Sequence, residues 1–539
     1  MFVIVFIFSL LLACCVASWI RTRQQTTTRS PSGLPGGSNS GAIGNGAQIS
    51  NDLDDIYPVH FLPNIWPARS LLMSYTFRYD SVLDAQKLHD SLALLLESGD
   101  WRKLTGRLRR NKNRRFEIHV PKRFSSDRPP FRFSHIKFNM IMEAHPLANR
   151  LPKKTGNRPS IQDSCELFRD FSYPSTLPHE MKHYLSTDEP MICLHINSFT
   201  DGTLVSFISP HIADVMGISG LLQAWTHAFR EQSIDSLGLE LEGPTQDVVA
   251  SVGTDDDMIA KNTKFVLEDR QTTWIPLIMF LVNFVFHALT QRAESHHIYL
   301  PASFLTGLRN QAIREWELTQ QNQNQPMPFI SDGDLITAWG SRMVLSSAKW
   351  KGSALINSFV DMRDRIDILK SSSTSCPIVY LQNLVLTSTT LLTPEEARNL
   401  TISQIASRVR QAVVDQTSNA QLRSLMRLTR DWFSRIGTMP LFVSWNTTTL
   451  ILVTNWNRAR LLERADFGEP VATDTKTPPC GRSLRPVAYW GTVSPVTDSW
   501  SNTFVIYEKD YDGDYWVHAH LQKETWKLIQ SELDSFTEK

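Results

Sequence analysis

The sequence has almost no net charge. Its 55 lysine and arginine residues nearly equal its 54 aspartate and glutamate residues, which leaves a formal net charge of +1 at pH 7 over 539 residues. Proteins that bind nucleic acids usually carry a clear excess of basic residues. The near balance therefore argues against a nucleic-acid partner, while the length predicts more than one domain.

Cysteine is scarce and lacks metal-binding spacing. Two of the six cysteines fall within the first twenty residues, and no pair shows a C-x-x-C spacing. We therefore expect free thiols, without a disulfide framework, a structural zinc or another metal site. The four cysteines outside the first twenty residues are Cys165, Cys193, Cys376 and Cys480.

Charged residues are absent from positions 2–20, which are mostly Val, Ile, Leu and Phe. A run of this length suffices for one bilayer-spanning helix. Three arginines follow it within positions 21–29. The pattern predicts a signal-anchor helix over residues 1–21, and hence a membrane protein with a single N-terminal span and a cytosolic body. Secretion stays open as an alternative, because N-x-Thr sequons begin at Asn399 and Asn446.

Composition divides the rest of the chain. Residues 22–52 are rich in Ser, Thr, Gln and Gly, which predicts a flexible linker. We expect an N-terminal domain at residues 53–245, a crossover at 246–296 and a C-terminal domain at 297–539. Strand and helix patterns are mixed in both halves, which predicts an α/β body.

Hydrophobic periodicity predicts the main elements of the two domains. Helices are expected over residues 85–97, 218–230, 334–344 and 524–536, and strands over residues 116–120, 191–196, 204–208, 378–386, 450–453, 504–507 and 516–521. The almost wholly apolar run 274–289 is short for a bilayer span and predicts a membrane-dipping or buried crossover helix. His211 falls between a strand and a helix, where a side chain can be presented into a cleft.

His211 is the strongest candidate for a catalytic residue. Transfer of an acyl group to an alcohol needs a base for the hydroxyl proton, and an imidazole with an ordinary pKa near ~6.5 can accept that proton. Asp214 and Gly217 follow closely, which suits a tight strand-to-helix junction. His195, on the neighbouring predicted strand, stays open as an alternative base.

A second motif lies far downstream, where residues 464–470 read RADFGEP. Together with FISPHIADVMG at 207–217, it resembles the two signatures of the BAHD family of coenzyme A-dependent acyltransferases, HxxxDG and DFGWG. The resemblance extends over about residues 56–530 and is strongest to the fungal branch. It implies a two-domain, chloramphenicol-acetyltransferase-like α/β fold with mixed sheets. Supporting segments in matching order lie at 101–108, 330–339, 360–365 and 380–383.

The resemblance implies a role for each residue of the motifs. His211 takes the position of the general base, and Asp214 takes that of an aspartate that holds the loop near Gly217. Asp466 falls where the family has an aspartate–arginine ion pair that fixes the geometry of the two domains. Arg363 is the expected partner of Asp466.

Further residues are implied by their position relative to the second motif. Phe467 and Gly468 would shape a loop outside the cleft. Thr454 and Asn455 fall where family members place polar groups near the reacting carbonyl, so they are candidate donors to the oxyanion. No residue is singled out for binding coenzyme A.

The sequence departs from the family pattern in two places. Only Ile212 and Ala213 separate His211 from Asp214, whereas the family has three intervening residues. Glu469 replaces the tryptophan of DFGWG, so any role of that indole does not transfer. Both departures keep open a catalytically silent relative that acts as a membrane scaffold or a ligand-binding protein.

The function implied by the resemblance is acyl-CoA-dependent O-acylation of a small hydrophobic alcohol in secondary metabolism. Acyl-CoA, with acetyl-CoA foremost, would be a co-substrate, and no cofactor would be bound permanently. We expect a monomer. An N-acyltransferase is the nearest alternative. A condensation domain of the peptide-synthetase type is a more distant alternative, because no carrier domain adjoins.

Two other patterns are weaker candidates, and one common hydrolase motif is absent. Residues 510–514 read DYDGD but lack the closing Glu of a calcium loop, so we expect a hairpin turn. The basic run 107–115 could contact a phosphate, although a solvated loop is the default expectation. No G-x-S-x-G motif is present in the sequence, which leaves a serine hydrolase mechanism without a nucleophile.

Overall fold

The protein is represented by a computed structural model, which describes residues 53–536 except 114, 178–179, 211, 235–236, 291, 320–327, 350, 371–377, 469–483 and 495–500. Its strands are β1 (Asp54–Pro58), β2 (Leu72–Tyr79), β3 (Arg107–Arg110), β4 (Phe116–Pro121), β5 (Arg132–Lys137), β6 (Ser160–Gln162), β7 (Cys193–Ser198), β8 (Thr203–Pro210), β9 (Glu240–Glu242), β10 (Ala293–Leu300), β11 (Ser353–Asp361), β12 (Ile378–Tyr380), β13 (Val385–Leu392), β14 (Thr447–Asn455), β15 (Ala488–Ser494), β16 (Thr503–Ile506) and β17 (Tyr515–Gln522).

The helices of the described residues are α1 (Ala85–Leu96), α2 (Arg169–Ser172), α3 (Met181–Ser186), α4 (Val215–Glu231), α5 (Met258–Asn262), α6 (Trp274–Thr290), α7 (Ala302–Thr319), α8 (Asp332–Ser347), α9 (Pro394–Asn399), α10 (Ile402–Gln416), α11 (Asn419–Ile436), α12 (Leu461–Arg464) and α13 (Lys523–Asp534).

Two large sheets organise these elements. One has five strands in the order β15-β2-β8-β7-β5, and the other has seven in the order β13-β11-β14-β16-β17-β10-β6. Both combine parallel and antiparallel pairs, so the predicted α/β fold with mixed sheets is confirmed. Each half also lends one strand to the other half's sheet, namely β15 and β6. The domain boundaries at 245 and 297 stay a prediction.

The seven-stranded sheet separates a hydrophobic core from a large cavity. On β14, Ile451 and Val453 are buried in a core that includes residues of α7, α8 and α13. The alternating residues Leu452 and Thr454 line the cavity instead. Successive side chains on a strand point to opposite faces of the sheet, and β16 and β17 alternate in the same way. One face of this sheet is therefore free to carry polar groups for a site.

Most of the predicted elements are present, but the predicted strand over residues 378–386 is wrong. The run forms two strands, β12 and β13, with a break at 381–384. In this break, the backbone N–H of Asn383 donates to the carbonyl of Ile212 at 2.8 Å. The strand is therefore interrupted at residues 381–384, because the backbone there bonds to the loop beside His211 and not to another strand.

The prediction of a membrane protein with a single N-terminal span and a cytosolic body is contradicted. Within the described ranges, no helix has both the length and the apolar character needed to cross a membrane. The predicted anchor at residues 1–21 and the predicted linker at 22–52 lie outside the described residues.

The apolar run in the crossover forms helix α6. Leu277 and Phe280 on one side of this helix line the cavity, and Phe280 is buried against other apolar side chains. On another side, the side chains of Ile275 and Val282 are 71% and 61% exposed. The run is therefore a partly exposed helix that forms one wall of the cavity.

Candidate active site

The main cavity of the described residues has a volume of about 2040 Å³ and takes its walls from both halves of the chain. The N-terminal half contributes Tyr75 and Asp214, and the C-terminal half contributes Asn357, Thr454 and Trp456. Ligand pockets for a single small molecule usually enclose about 300–1,000 Å³. The cavity is therefore large enough for two substrates at once.

His211 itself lies outside the described residues, but its neighbours on both sides are described. Strand β8 ends at Pro210, and Asp214 begins helix α4 by accepting a hydrogen bond from the backbone N–H of Gly217 at 2.9 Å. Asp214, Val215 and Met216 all line the cavity. The segment that follows His211 is thus part of the cavity wall.

Asp214 is fixed by a bidentate ion pair with Arg363. The two guanidinium nitrogens Nη1 and Nη2 lie 3.0 Å from Oδ2 and 2.9 Å from Oδ1 of Asp214. Asp214 is only 3% exposed, and its Oδ2 also accepts from the backbone N–H of Leu384 at 2.8 Å. The carboxylate has no hydrogen-bonding capacity left to spare for a substrate, as expected of an aspartate that holds the loop.

Arg363 therefore does not pair with Asp466, and the predicted Asp466–Arg363 clasp is wrong. Arg363 binds Asp214 and Asp361, the latter at 2.7 Å. Burial alone would lower the pKa of Arg363, but these two carboxylates raise it. The arginine is consequently a permanent cation between the loop after His211 and the end of β11.

Gly217 is required by the close approach of the same two segments. A Cβ atom at this position would lie 2.0 Å from the carbonyl oxygen of Leu381. Any larger side chain would push helix α4 away from the 381–384 segment. The predicted structural role of this glycine thus has a steric basis.

Asp466 is held at the opposite end of helix α4. Its carboxylate accepts from Nε of Arg485 at 2.9 Å and lies 3.5 Å from Arg230, which is in the last turn of α4. The next residue, Phe467, is buried, and Gly468 has a φ of +93°, which glycine adopts readily. None of these residues lines the cavity, so the second motif is a packing element, while Glu469 lies outside the described residues.

Thr454 and Asn455 end strand β14 on the cavity wall. The indole N–H of Trp456 donates to Oγ1 of Thr454 at 3.1 Å. Because the hydroxyl accepts this bond, its own hydrogen remains available for a ligand. Oδ1 of Asn455 accepts from the backbone N–H of Asn457 at 2.9 Å, which leaves the two amide hydrogens of Asn455 as donors.

His195 lies in a different environment. Its side chain is fully buried within β7 and does not line the cavity. Burial lowers its pKa to about 4. A histidine away from the cavity is poorly placed to receive a proton from a substrate.

Several charged residues on the cavity wall were missed from the sequence, and Arg365 and Glu166 are two of them. Among the described residues, Arg365 has no carboxylate within ion-pair distance, and its Nε has no hydrogen-bond partner. Glu166 lines the cavity on a short 3-10 helix after β6. The position of Arg365 two residues after Arg363 offered a signal, whereas no sequence pattern marks Glu166.

The weaker sequence candidates are structural. Residues 510–514 form a turn between the antiparallel strands β16 and β17, as predicted, and Lys154 binds the carboxylates of Asp510, Asp512 and Asp514 at 2.5–3.0 Å. In the basic run, Arg107 is fully buried and Arg109 is half-buried, and both bind Asp188 and backbone carbonyls. Cys165 and Cys193 are buried free thiols, while Cys376 and Cys480 lie outside the described residues.

Several known proteins are similar to the chain along most of its length, although no protein-family model matches it. It is 45% identical to acetyltransferase BOT5 of Botryotinia fuckeliana, over 90% of this chain and 91% of that protein. Identity is 31% to acetyltransferase pyiB of Pyricularia grisea, over 89% and 93% of the two chains. It is 30% to O-acetyltransferase PaAT-2 of Phomopsis amygdali, over 90% and 99%.

Solved structures agree on the fold. F. graminearum TRI101 in complex with coenzyme A and T-2 mycotoxin superimposes with a TM-score of 0.58 at 14% identity, over 90% of this chain and 98% of that one. Vinorine synthase gives a TM-score of 0.53 at 14% identity, over 91% and 95%. The identity to these relatives extends over most of the chain, which also contains both motifs. The chain therefore belongs to the fungal branch of the BAHD-type, coenzyme A-dependent acyltransferases and is an acyltransferase.

Proposed function

We propose that the protein transfers an acetyl or longer acyl group from acyl-CoA to a hydroxyl of a hydrophobic secondary metabolite, with His211 as general base. One observation carries this proposal. The segment immediately after His211 and the polar end of β14 line the same large cavity, which is roomy enough for two substrates. The relatives named acetyltransferase and O-acetyltransferase favour acetyl-CoA as donor and an alcohol as acceptor.

In the proposed mechanism, His211 accepts the hydroxyl proton while the substrate oxygen attacks the thioester carbonyl. The tetrahedral intermediate then carries a negative oxygen. Collapse of this intermediate breaks the carbon–sulfur bond, and the thiolate of coenzyme A takes the proton from His211. Asp214 takes no part in proton transfer, because its oxygens are committed to Arg363 and to backbone N–H groups.

The oxyanion would be stabilised by Thr454 and Asn455. The hydroxyl of Thr454 is oriented by the indole of Trp456, and the amide of Asn455 retains two hydrogens for donation. Donors that are already in place when charge develops on the oxygen lower the barrier by about 3–4 kcal/mol per group in other enzymes.

We assign the phosphates of acyl-CoA to a cationic part of the cavity wall. Arg365, Arg410 and Arg458 all line the cavity, and they are close enough that the charges of the other two lower the pKa of Arg365, in addition to the effect of burial. Arg410 is paired with Asp334 and Arg458 with Asp364. Arg365 has no carboxylate within ion-pair distance among the described residues, so a phosphate bound here would offset its charge. A monomer is part of the proposal, since one chain supplies every wall described.

The test uses purified protein with radiolabelled acetyl-CoA and a panel of hydrophobic alcohols and amines. We expect label in the ester of at least one alcohol, together with release of coenzyme A, and neither with His211→Ala. Label on amines alone would favour the N-acyltransferase alternative. Binding of acyl-CoA without transfer to any acceptor would favour the catalytically silent alternative and contradict the proposal.

A further inference from the structure

Glu166 differs from every other carboxylate that lines the cavity in the described chain. Asp214 and Asp361 bind Arg363, Asp332 binds Arg309 and Lys509, and Asp334 binds Arg410. Glu166 has neither a lysine nor an arginine within ion-pair distance among the described residues; its ion-pair neighbour is His518, at 3.8 Å. The cavity therefore holds one carboxylate without a permanent cationic partner.

The hydrogen bonds of Glu166 leave one of its oxygens open. Oε2 accepts from the hydroxyl of Ser164 and lies 3.3 Å from Sγ of Cys165 and 3.8 Å from Nε2 of His518. No described side chain donates to Oε1, and the side chain is 26% exposed. An ionised carboxylate accepts several hydrogen bonds, so Oε1 is free to receive a donor from a ligand in the cavity.

The carboxyl group is ionised near neutral pH. Burial would raise its pKa, but the nearby His518 and the hydrogen bonds from Ser164 and Cys165 lower it to about 2. His518 is not a permanent cation, because burial lowers its pKa although the ionised Glu166 raises it. The hydrogen bonds from Ser164 and Cys165 favour the ionised carboxylate whether or not His518 is charged. Glu166 is therefore a poor proton acceptor and a good hydrogen-bond acceptor.

Glu166 and the loop that contains His211 belong to different parts of the cavity wall. Glu166 lies beside His518, whereas Asp214, three residues after His211, binds Arg363. Both carboxylates line the same cavity. A group bound by Glu166 is thus held by a different part of the wall from a hydroxyl that is acylated beside His211.

From this placement we infer that Glu166 binds a second hydrogen-bond donor on the acceptor, most simply a hydroxyl other than the one that is acylated. The inference rests on the proposed function and specifies its substrate class: a rigid hydrophobic skeleton that carries a second polar group besides the acylated hydroxyl. A protonated amine would satisfy the same carboxylate. A substrate that lacks the donor is penalised, because it displaces water from Oε1 of Glu166 without replacing the hydrogen bond.

The experiment compares a rigid tetracyclic steroid diol, with its hydroxyls at opposite ends, with its two mono-alcohols and with an amino alcohol that carries an ammonium in place of one hydroxyl. We expect the wild type to favour the diol about tenfold or more in kcat/KM, mainly through KM, and Glu166→Gln, whose amide oxygen is a weaker acceptor than a carboxylate, to reduce this preference several-fold. A stronger preference for the amino alcohol would identify an ammonium as the donor. The same preference in Glu166→Gln, or none in the wild type, would overturn the inference.

A binding measurement separates this inference from the proposed function. Quenching of tryptophan fluorescence by the diol and by the mono-alcohols needs no turnover, and Trp456 lines the cavity. If the wild type binds the diol selectively and Glu166→Gln weakens that selectivity, the inference is supported even when no acyl group is transferred. The absence of transfer would then contradict only the proposed function. Acyl transfer without discrimination contradicts the inference alone, as does binding of neither probe.

Two variants control for effects on folding. Glu143→Gln removes an exposed carboxylate whose partner is Lys153 at the surface, and it should leave both the preference and the melting temperature unchanged. Glu166→Asp keeps the negative charge, but its side chain is shorter by one methylene, so the carboxylate no longer reaches the same position. If Glu166→Gln fails to fold, a reduced preference in Glu166→Asp supports the inference, and an unchanged preference overturns it.

Discussion

Asp214 and Arg363 join the N-terminal and C-terminal halves of the chain at the cavity wall. The aspartate begins helix α4 directly after the loop that contains His211, and the arginine follows β11 in the C-terminal half. Their two hydrogen bonds are parallel and buried, which is the strongest geometry available to a carboxylate and a guanidinium. The position of the loop therefore depends on how the two halves pack.

A double-mutant cycle tests which carboxylate Arg363 serves. We expect Asp214→Asn and Arg363→Gln each to lower the free energy of unfolding by about 3 kcal/mol, because each leaves a buried polar group without its partner. Their coupling energy should exceed about 1 kcal/mol, whereas Asp466→Asn and Arg363→Gln should be additive within about 0.5 kcal/mol. Urea unfolding provides these values, with the exposed Asp367→Asn as a control. Coupling between Arg363 and Asp466 would show that the observed pairing is wrong.

Gly217→Ala should both destabilise the protein and reduce acyl transfer. The added Cβ would meet the carbonyl oxygen of Leu381 at 2.0 Å, and the backbone must shift to relieve that contact. Gly307→Ala is the matched control, because Gly307 also lies within a helix, but its nearest neighbour would be a carbon of Phe536 at 3.5 Å. This second substitution should raise the stability by about 0.5–1 kcal/mol. Equal melting temperatures for the two variants would contradict the steric argument.

Glu508→Gln should change how stability depends on pH. Burial raises the pKa of Glu508 to about 7, above the value of 4.5 that applies when it is not buried. Between these values the folded state holds more protons than the unfolded state, so stability falls as the pH rises from about 4.5 to 7.

The variant stays neutral and keeps an oxygen that can accept the hydrogen bond from the backbone N–H of Leu462. It should therefore be more stable than the wild type above pH 7, by on the order of 2 kcal/mol, and show a flatter profile. Urea unfolding at pH 5 and pH 8 measures this difference. The exposed Glu524→Gln should behave like the wild type, and a Glu508→Gln profile parallel to that of the wild type would refute the assignment.

Thr454→Val should lower kcat with little change in KM for either substrate. The hydroxyl is proposed to bind the oxyanion, which exists only during the reaction, so its loss removes an interaction of the transition state alone. A decrease of about 100-fold is expected. Trp456→Phe removes the N–H that orients this hydroxyl together with part of a buried ring, so a smaller decrease in kcat is expected along with a lower melting temperature. A Thr454→Val enzyme with normal kcat would exclude the hydroxyl as a donor.

The sequence predicts local structure where one periodic pattern dominates. Residues 85–97 and 218–230 are helical in the structure because their apolar residues recur at helical spacing, and α4 only begins three residues earlier than predicted. The prediction of one strand over residues 378–386 is wrong because Leu381 and Leu384 continue an apolar pattern, although the backbone at these residues bonds to the loop after His211. Patterns along a strand do not reveal which segment accepts its hydrogen bonds.

The partners of charged side chains were harder to predict than the motifs. Asp214 begins helix α4 and Arg230 lies in its last turn, about 24 Å farther along the helix axis. Arg363 reaches the first end, so it cannot also reach Asp466 beside the second. That outcome depends on the packing of β11 against the loop, which no spacing in the sequence records. The role of Glu166 could not be predicted for the same reason, because its place on the cavity wall arises from the pairing of β6 with β10.

The central claim is that His211, and not His195, is the general base. Initial rates of acyl transfer to one accepted alcohol should be measured for His211→Ala and His195→Ala, with melting temperatures to confirm folding. We expect His211→Ala to lose at least about 100-fold in kcat while its melting temperature changes little, and His195→Ala to keep most of its activity if it folds. Normal kcat in a folded His211→Ala enzyme would contradict the account.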